Sequence, residues 1–313
     1  MALGLDDVLV GCWTDDVHDT GVTVVLPPAG SLGACSVRGG APGTREAAAL
    51  GPGGQGVECH GIVLCGSSVF GLAAADGVVN WCVEQGRGLE LPVAIIPVVG
   101  AAVVFDINGP DDPRPDADAG WAACAAASAT DPPMGSVGVG RGCSVGKIAG
   151  RQHATKGGQG WAVVDDGRVR VGAIVAVNAF GEVLDETGGV LAGSLADGDA
   201  SRYPSTPIEE LPAWGSDEAR ANTTIGCLVT NARLDKPAAC RAADLAHAGI
   251  IRSIEPAHTA ADGDALFLLC CGDEPATSDQ VGVLAGDAVA RAVRAAVRAA
   301  EATDGRPRDP RLG

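Results

Sequence analysis

Thr223 and Thr224 stand where a long irregular segment gives way to an apolar strand, Ile225-Gly226-Cys227-Leu228-Val229. A hydroxyl is a weak nucleophile at neutral pH. A threonine at a chain's N-terminus, however, carries its own base, because an α-amine with an ordinary pKa of about 7.7–8.0 can accept the hydroxyl proton. Attack by the Thr223 side chain on the preceding carbonyl would cut the Asn222–Thr223 bond and create that arrangement. Taken alone, two β-branched residues opening a strand need no such reading. The neighbouring motifs decide between the two.

Asp262-Gly263-Asp264 is the first of these. In an extended segment, residues two apart share a face, about 7 Å from one another. Two carboxylates entering the apolar run Ala265-Leu266-Phe267-Leu268 are costly unless they orient something, as the third member of a catalytic triad does. Lys147, one of only three lysines, lies in a Gly-rich apolar setting, where it could polarise a hydroxyl or supply positive charge. Asn178 ends a buried strand and could donate its amide to an oxyanion.

Other motifs fail on spacing. Gly138 to Lys147 resembles a phosphate loop, but Arg141 stands where its first glycine belongs and Ile148 where its hydroxyl belongs. No strand leads into those glycines, so a dinucleotide fingerprint fails as well. A nucleophile elbow at Ser68 would need glycine at Phe70. The five histidines, His18, His60, His153, His247 and His258, lack paired metal-ligand spacing and read as surface or core residues.

The elements that must position these residues are legible in part. Gly21–Leu26 and Gly61–Leu64 read as strands, and Leu72–Gln85 as a helix. Val93–Ile107 is strongly β-branched, and Pro97 and Gly100 should divide it. Gly120–Ala129 reads as an Ala-rich helix. Arg168–Asn178 is a strand buried on both faces, entered through an Asp166-Gly167 hairpin turn. Glu186–Asn222 has no periodicity, as expected of a functional or a disordered loop. Asp235 and Pro237 open a helix ending near Gly249, and Leu266–Cys270 is a further buried strand. The last helix sets Val289, Val293 and Val297 against a face of Arg291, Arg294 and Arg298 that reads as solvated, with a subunit contact as the alternative.

The apolar fraction is 46% but aromatics are only 3%, so the core must be Ala, Val and Leu packed closely through glycine. A net charge of −17 disfavours nucleic acid and anionic membranes as partners. Eleven cysteines without CxxC spacing read as small buried hydrophobes in a reducing cytoplasm. No apolar run reaches the length of a membrane span.

Several separated segments together resemble one family, the self-processing hydrolases that include the L-aminopeptidase/D-amidase-esterase, the β-peptidyl aminopeptidases and the nylon-oligomer (6-aminohexanoate-oligomer) endohydrolase. The segments are Thr20–Val25, Arg38–Glu46, Leu64–Leu72 with Ala75-Asp76-Gly77, Ser144–Lys147, Ala176–Asn178, Asn222–Ile225 and Asp262–Asp264. The resemblance implies an α+β fold, a four-layer αββα sandwich of the N-terminal-nucleophile-hydrolase kind, in one domain. It also implies self-processing into residues 1–222 and 223–313, with Asn222 and Thr223 flanking the cut. Thr223 would be the nucleophile, Lys147 would sit beside it, Asn178 would help bind the oxyanion, and Asp262 and Asp264 would orient the nucleophile. The substrate would be a small peptide or amide oligomer, cleaved without cofactor or metal by a homo-oligomer of processed chains.

Threonine after asparagine at the cut matches the nylon-oligomer enzyme, whereas the aminopeptidase branch has serine after glycine. That enzyme's substrate-side tyrosine corresponds to Phe105 here, which lacks the hydroxyl. Ser67 replaces a glycine common in the family loop, which requires the backbone there to avoid positive φ. The alternatives are an acyltransferase resembling the ornithine acetyltransferases, and a non-catalytic protein that keeps the fold.

Overall fold

The computed structural model describes residues 1–55, 58–196, 207–210, 222–303 and 305–313. In chain order its main strands are β1 (Leu9–Asp15), β2 (Thr20–Leu26), β3 (Leu32–Val37), β4 (Thr44–Arg45), β5 (Gly61–Cys65), β6 (Val99–Val103), β7 (Gly158–Asp165), β8 (Arg170–Asn178), β9 (Thr223–Arg233) and β10 (Ala265–Pro275). Its main helices are α1 (Ala74–Glu84), α2 (Ala117–Ala125), α3 (Lys236–Ile251) and α4 (Ser278–Ala299). The strands form two five-stranded sheets, ordered β1-β2-β5-β6-β4 and β7-β8-β9-β10-β3.

Alternation sorts the side chains of each strand onto two faces. Ile62, Leu64 and Val25 of the first sheet meet Ile174, Ile225, Cys227 and Phe267 of the second in a central core. Val22, Val24 and Val63 point the other way, onto Val78 and Ala123 of α1 and α2. Val175 and Leu228 pack outward against Ala246, Val289 and Val293 of α3 and α4. The result is helices, sheet, sheet, helices, the four layers that the family resemblance implied. Glycine allows the close approach that few aromatics would permit. A Cβ on Gly160 of β7 would lie 2.2 Å from the Ala292 carbonyl oxygen of α4.

The Asp166-Gly167 turn joins β7 to β8 as expected, with Gly167 at φ 93°. Asp235 caps α3, its carboxylate accepting from the Ala238 N–H at 2.9 Å, with Pro237 in the first turn. Other boundaries moved. The second helix starts earlier than the Ala-rich run suggests, because the Asp116 side chain caps the Asp118 and Ala119 N–H groups. The Val93–Ile107 segment breaks after Ile96, while Gly100 lies inside β6. The part of the aperiodic segment in residues 197–206 and 211–221 lies outside the described residues.

Two expectations are corrected. Arg294 is not on a solvated face: it is buried, and its guanidinium donates to the carbonyls of Leu184 at 2.8 Å, Asp185 at 3.1 Å and Arg252 at 3.2 Å. Ser67 does not avoid positive φ. Ser67 and Ser68 adopt φ 62° and 54°, and the turn is held from outside. The Asp106 carboxylate accepts the Ser67 N–H at 2.6 Å, and the Val104 carbonyl accepts that of Ser68 at 2.8 Å.

Candidate functional site

Register alone assembles most of the site. Thr223, the first residue of β9, is the antiparallel partner of Asn178, the last residue of β8. On its other side β9 runs parallel to β10, with Ile225 opposite Ala265 and Asn222 bridged to Asp262. Counting back from that register brings Asp262, Gly263 and Asp264 alongside Asn222, Thr223 and Thr224. The two motifs are forty residues apart in the chain, and α3 makes the crossover between them.

Thr223 is buried, and its hydroxyl donates to the Asn222 carbonyl oxygen. The same oxygen accepts the backbone N–H of Gly263 at 3.0 Å. A hydroxyl and a backbone donor therefore converge on the carbonyl of the bond expected to break. Asp264 Oδ1 accepts the next backbone N–H, that of Thr224, at 2.5 Å, which fixes the chain just beyond the hydroxyl. Its other oxygen accepts from His258, through the backbone N–H at 3.2 Å and Nδ1 at 2.7 Å. Both contacts are possible because His258 sits at φ 57°.

Asp262 is held by the Thr259 N–H at 2.7 Å. Burial, with the Asp264 charge second, pushes its carboxyl pKa up to about 7. The Arg38–Glu46 loop clamps this corner: the Arg38 and Gly39 N–H groups donate to the Asp264 carbonyl, and that of Ala41 to the Asp262 carbonyl.

Lys147 lies in a turn opened by Gly146 at φ 73°, where a Cβ would meet the Ser194 nitrogen at 2.0 Å. Its Nζ donates to Asn178 twice, to the backbone oxygen at 2.9 Å and to Oδ1 at 2.8 Å. Burial, reinforced by the nearby Arg151 charge, holds its pKa well below the ordinary lysine value. This works against the positive charge that the sequence reading assigned to it. Asn178 Oδ1 also accepts the Ser144 N–H at 3.0 Å, and Nδ2 donates to the Phe105 carbonyl at 2.9 Å. In this uncut chain the Asn178 amide therefore ties Lys147, Ser144 and Phe105 to the strand end that faces Thr223. The Phe105 ring lies under the Arg151 guanidinium, 5.5 Å from its centroid.

All of the expected residues, Thr223, Asn222, Lys147, Asn178, Asp262, Asp264 and Phe105, thus belong to one neighbourhood. Two participants went unseen in the sequence. Gly263 acts through its backbone, although its place between the two aspartates was a signal. His258 was read as an ordinary histidine, and nothing in its spacing marks Asp264 as its partner. His247 stacks edge-on against it, ring centroids 4.9 Å apart, with its own pKa lowered to about 4, chiefly by burial.

The Asp262 carboxyl offers a stability test. Its pKa rises from the ordinary value of about 3.9 on folding. A raised folded pKa contributes stability below about pH 4, and that stability is lost as pH climbs through about 7. Compared in an uncut Thr223→Ala background, Asp262→Asn should escape this loss. Its melting temperature relative to the parent should rise by about 1.5 °C per kcal/mol between pH 4.5 and 7.5. Scanning calorimetry at the two pH values checks this, and a constant or shrinking gap would contradict it.

Comparison with known proteins places this geometry in context. The model of peptidase family S58 matches residues 4–309. An uncharacterized aminopeptidase of Mycobacterium tuberculosis is 41% identical, covering 92% of this chain and 88% of that protein. A 6-aminohexanoate-oligomer endohydrolase of a Kocuria species is 34% identical, covering 83% of this chain and 72% of that protein. Among solved structures, the L-aminopeptidase D-Ala-esterase/amidase of Ochrobactrum anthropi, described as a variant of the Ntn hydrolase fold, superimposes with a TM-score of 0.70 at 20% identity over 98% of this chain and 88% of that one. A Burkholderia beta-aminopeptidase gives a TM-score of 0.69 at 20% identity over 99% of this chain and 91% of that one. At that identity the likeness speaks for the fold.

Proposed function

We propose, since this chain belongs to peptidase family S58, that it is an amide-bond hydrolase which first cuts its own Asn222–Thr223 bond and then works through Thr223 as an N-terminal nucleophile. The observation that carries this reading is the convergence of the Thr223 hydroxyl and the Gly263 N–H on the Asn222 carbonyl oxygen.

In self-cleavage the Thr223 oxygen adds to the Asn222 carbonyl carbon, and the Gly263 N–H holds the developing oxyanion. The C–N bond breaks, the amine takes up the hydroxyl proton, and an ester joins Asn222 to the Thr223 side chain. Water then releases the Asn222 carboxylate and leaves Thr223 with a free amine. Asp264 fixes the Thr224 N–H, and with it the angle of attack. Lys147 and Asp262 are both pushed toward their neutral forms, which suits them to proton transfer near the nucleophile. In the mature enzyme the Thr223 amine accepts its own hydroxyl proton. The alkoxide adds to the carbonyl of a substrate amide, with Asn178 assisting the oxyanion; the C–N bond breaks as the Thr223 ammonium returns its proton to the departing amine, and water hydrolyses the acyl ester.

The substrates this reading implies are small peptides or linear amide oligomers, with Phe105 beside them. The working form is a processed pair, residues 1–222 and 223–313, assembled as a cytoplasmic homo-oligomer. Two measurements test the function. Sequencing of the smaller fragment should begin at Thr223. A panel of amino-acid p-nitroanilides and linear amide oligomers should be turned over with water alone. Turnover that depends on an added amine acceptor would indicate a transferase, and failure of the chain to cut itself would sink the mechanism.

A further inference from the structure

Ser144, whose N–H donates to Asn178 Oδ1, also lines a cavity of about 290 Å³, together with Asp19, Asn108, Arg151, Lys156 and Arg306 among others. Cross-strand partners share a face of a sheet, so Asn178 and Thr223 project to the same side. The contacts of Asn178 with Ser144 and Phe105 carry that side toward the cavity. Arg151 connects the two, lining the cavity while lying over the Phe105 ring.

The cavity is cationic in a chain whose net charge is −17. Its acid, Asp19, already bonds Arg141 at 2.8 Å. Lys156, one of only three lysines, is buried and donates to the Arg141 carbonyl oxygen. Arg306 makes no ion pair among the described residues; its Nη1 donates to the Gly305 carbonyl at 3.1 Å. It is half-buried, and its pKa is lowered first by that burial and then by the like charge of Arg151. A guanidinium half withdrawn from water, with no ion pair among the described residues, presents the planar donor fork that a carboxylate accepts in bidentate fashion.

We propose that this cavity is a carboxylate subsite, in which Arg306, with Arg151 beside it, binds a free carboxylate carried by the substrate near the amide that Thr223 attacks. The substrate class narrows accordingly to short acids, such as dipeptides or the short linear oligomers of an amino acid, in preference to capped or internal segments. This rests on the hydrolase reading for the identity of the reacting bond, though not for the binding of the anion.

The test uses the processed wild-type protein, Arg306→Gln, and, as control, Arg168→Gln in the exposed turn before β8. The first probe pair is a 6-aminohexanoate dimer with a free carboxylate and the same dimer capped as its primary amide. Wild type should show at least a tenfold lower KM for the acid. In Arg306→Gln the ratio of the two KM values should fall toward one, while Arg168→Gln keeps it. The second pair, N-acetyl-6-aminohexanoate and its amide, is titrated calorimetrically and needs no turnover. Wild type should bind the acid more tightly, and Arg306→Gln should lose that difference. Turnover without charge preference overturns the subsite and leaves the hydrolase standing. Arg306-dependent acid binding without turnover does the reverse. An acid preference that survives Arg306→Gln overturns the assignment to this cavity.

Discussion

Thr223→Ala should leave a single chain of 31.1 kDa where the wild type separates under denaturing conditions into pieces of roughly 22 and 9 kDa, in proportion to residues 1–222 and 223–313. The substitution removes the hydroxyl that donates to the Asn222 carbonyl and changes little else, because Thr223 is a strand residue whose backbone pairing with Asn178 does not depend on its side chain. Loss of a nucleophile of this kind costs on the order of 10⁶-fold in rate, so the cut should be invisible over days. Thr223→Ser keeps the hydroxyl and should still process. Intact-mass spectrometry of freshly purified protein reads both results. If Thr223→Ala still divides at the same bond, another group is the nucleophile.

Gly263→Ala should be the next most damaging change. The backbone of Gly263 is not in the left-handed region, so alanine meets no conformational barrier and the effect is one of space. The new Cβ would lie 2.8 Å from the Thr223 hydroxyl oxygen, 3.2 Å from the Ala41 carbonyl oxygen and 3.3 Å from the Thr223 methyl group. Either the hydroxyl swings off the Asn222 carbonyl or β10 shifts and takes the Gly263 N–H with it. Misplacement by about 1 Å costs about 10²-fold, so the uncut precursor should persist for hours to days. A pairwise comparison separates this from simple misfolding. Because the tightest contact is with the Thr223 hydroxyl, which Thr223→Ala removes while the Ala41 contact stays, Gly263→Ala should destabilise the chain less in a Thr223→Ala background than alone. Equal destabilisation in both backgrounds, measured by thermal unfolding, would place the damage elsewhere.

The sequence made the site's composition legible better than its wiring. Hydrophobic runs located β8, β9 and β10, and turn and capping residues located the hairpin and α3, because those signals are local. Asp262 and Asp264 could be picked out for the same reason, since carboxylates at the mouth of an apolar strand are conspicuous, and the fold sets both alongside Asn222 to Thr224. The parallel register of β9 and β10 was not legible. It depends on how α3 spans the sheet, and it is this register that sets Gly263, rather than either aspartate, against the Asn222 carbonyl. His258 escaped for the same reason: its contact with Asp264 follows from a left-handed backbone that no periodicity announces. Ser67 shows the opposite failure, a local rule overridden at a distance by the Asp106 carboxylate. Arg294 looked solvated by helical periodicity alone, because the carbonyls it caps come from other segments.

The strand that begins at Thr223 lies in the middle of its sheet, with β8 from one side of the proposed cut and β10 from the other. The Gly263 donor reaches Asn222 through that pairing, so on the proposed mechanism an unfinished chain would have no means of severing itself. On the proposed mechanism scission would double as a certificate of assembly: molecules stalled on the way to the native state would stay whole, and the proportion of nicked chains in a preparation would count those that arrived.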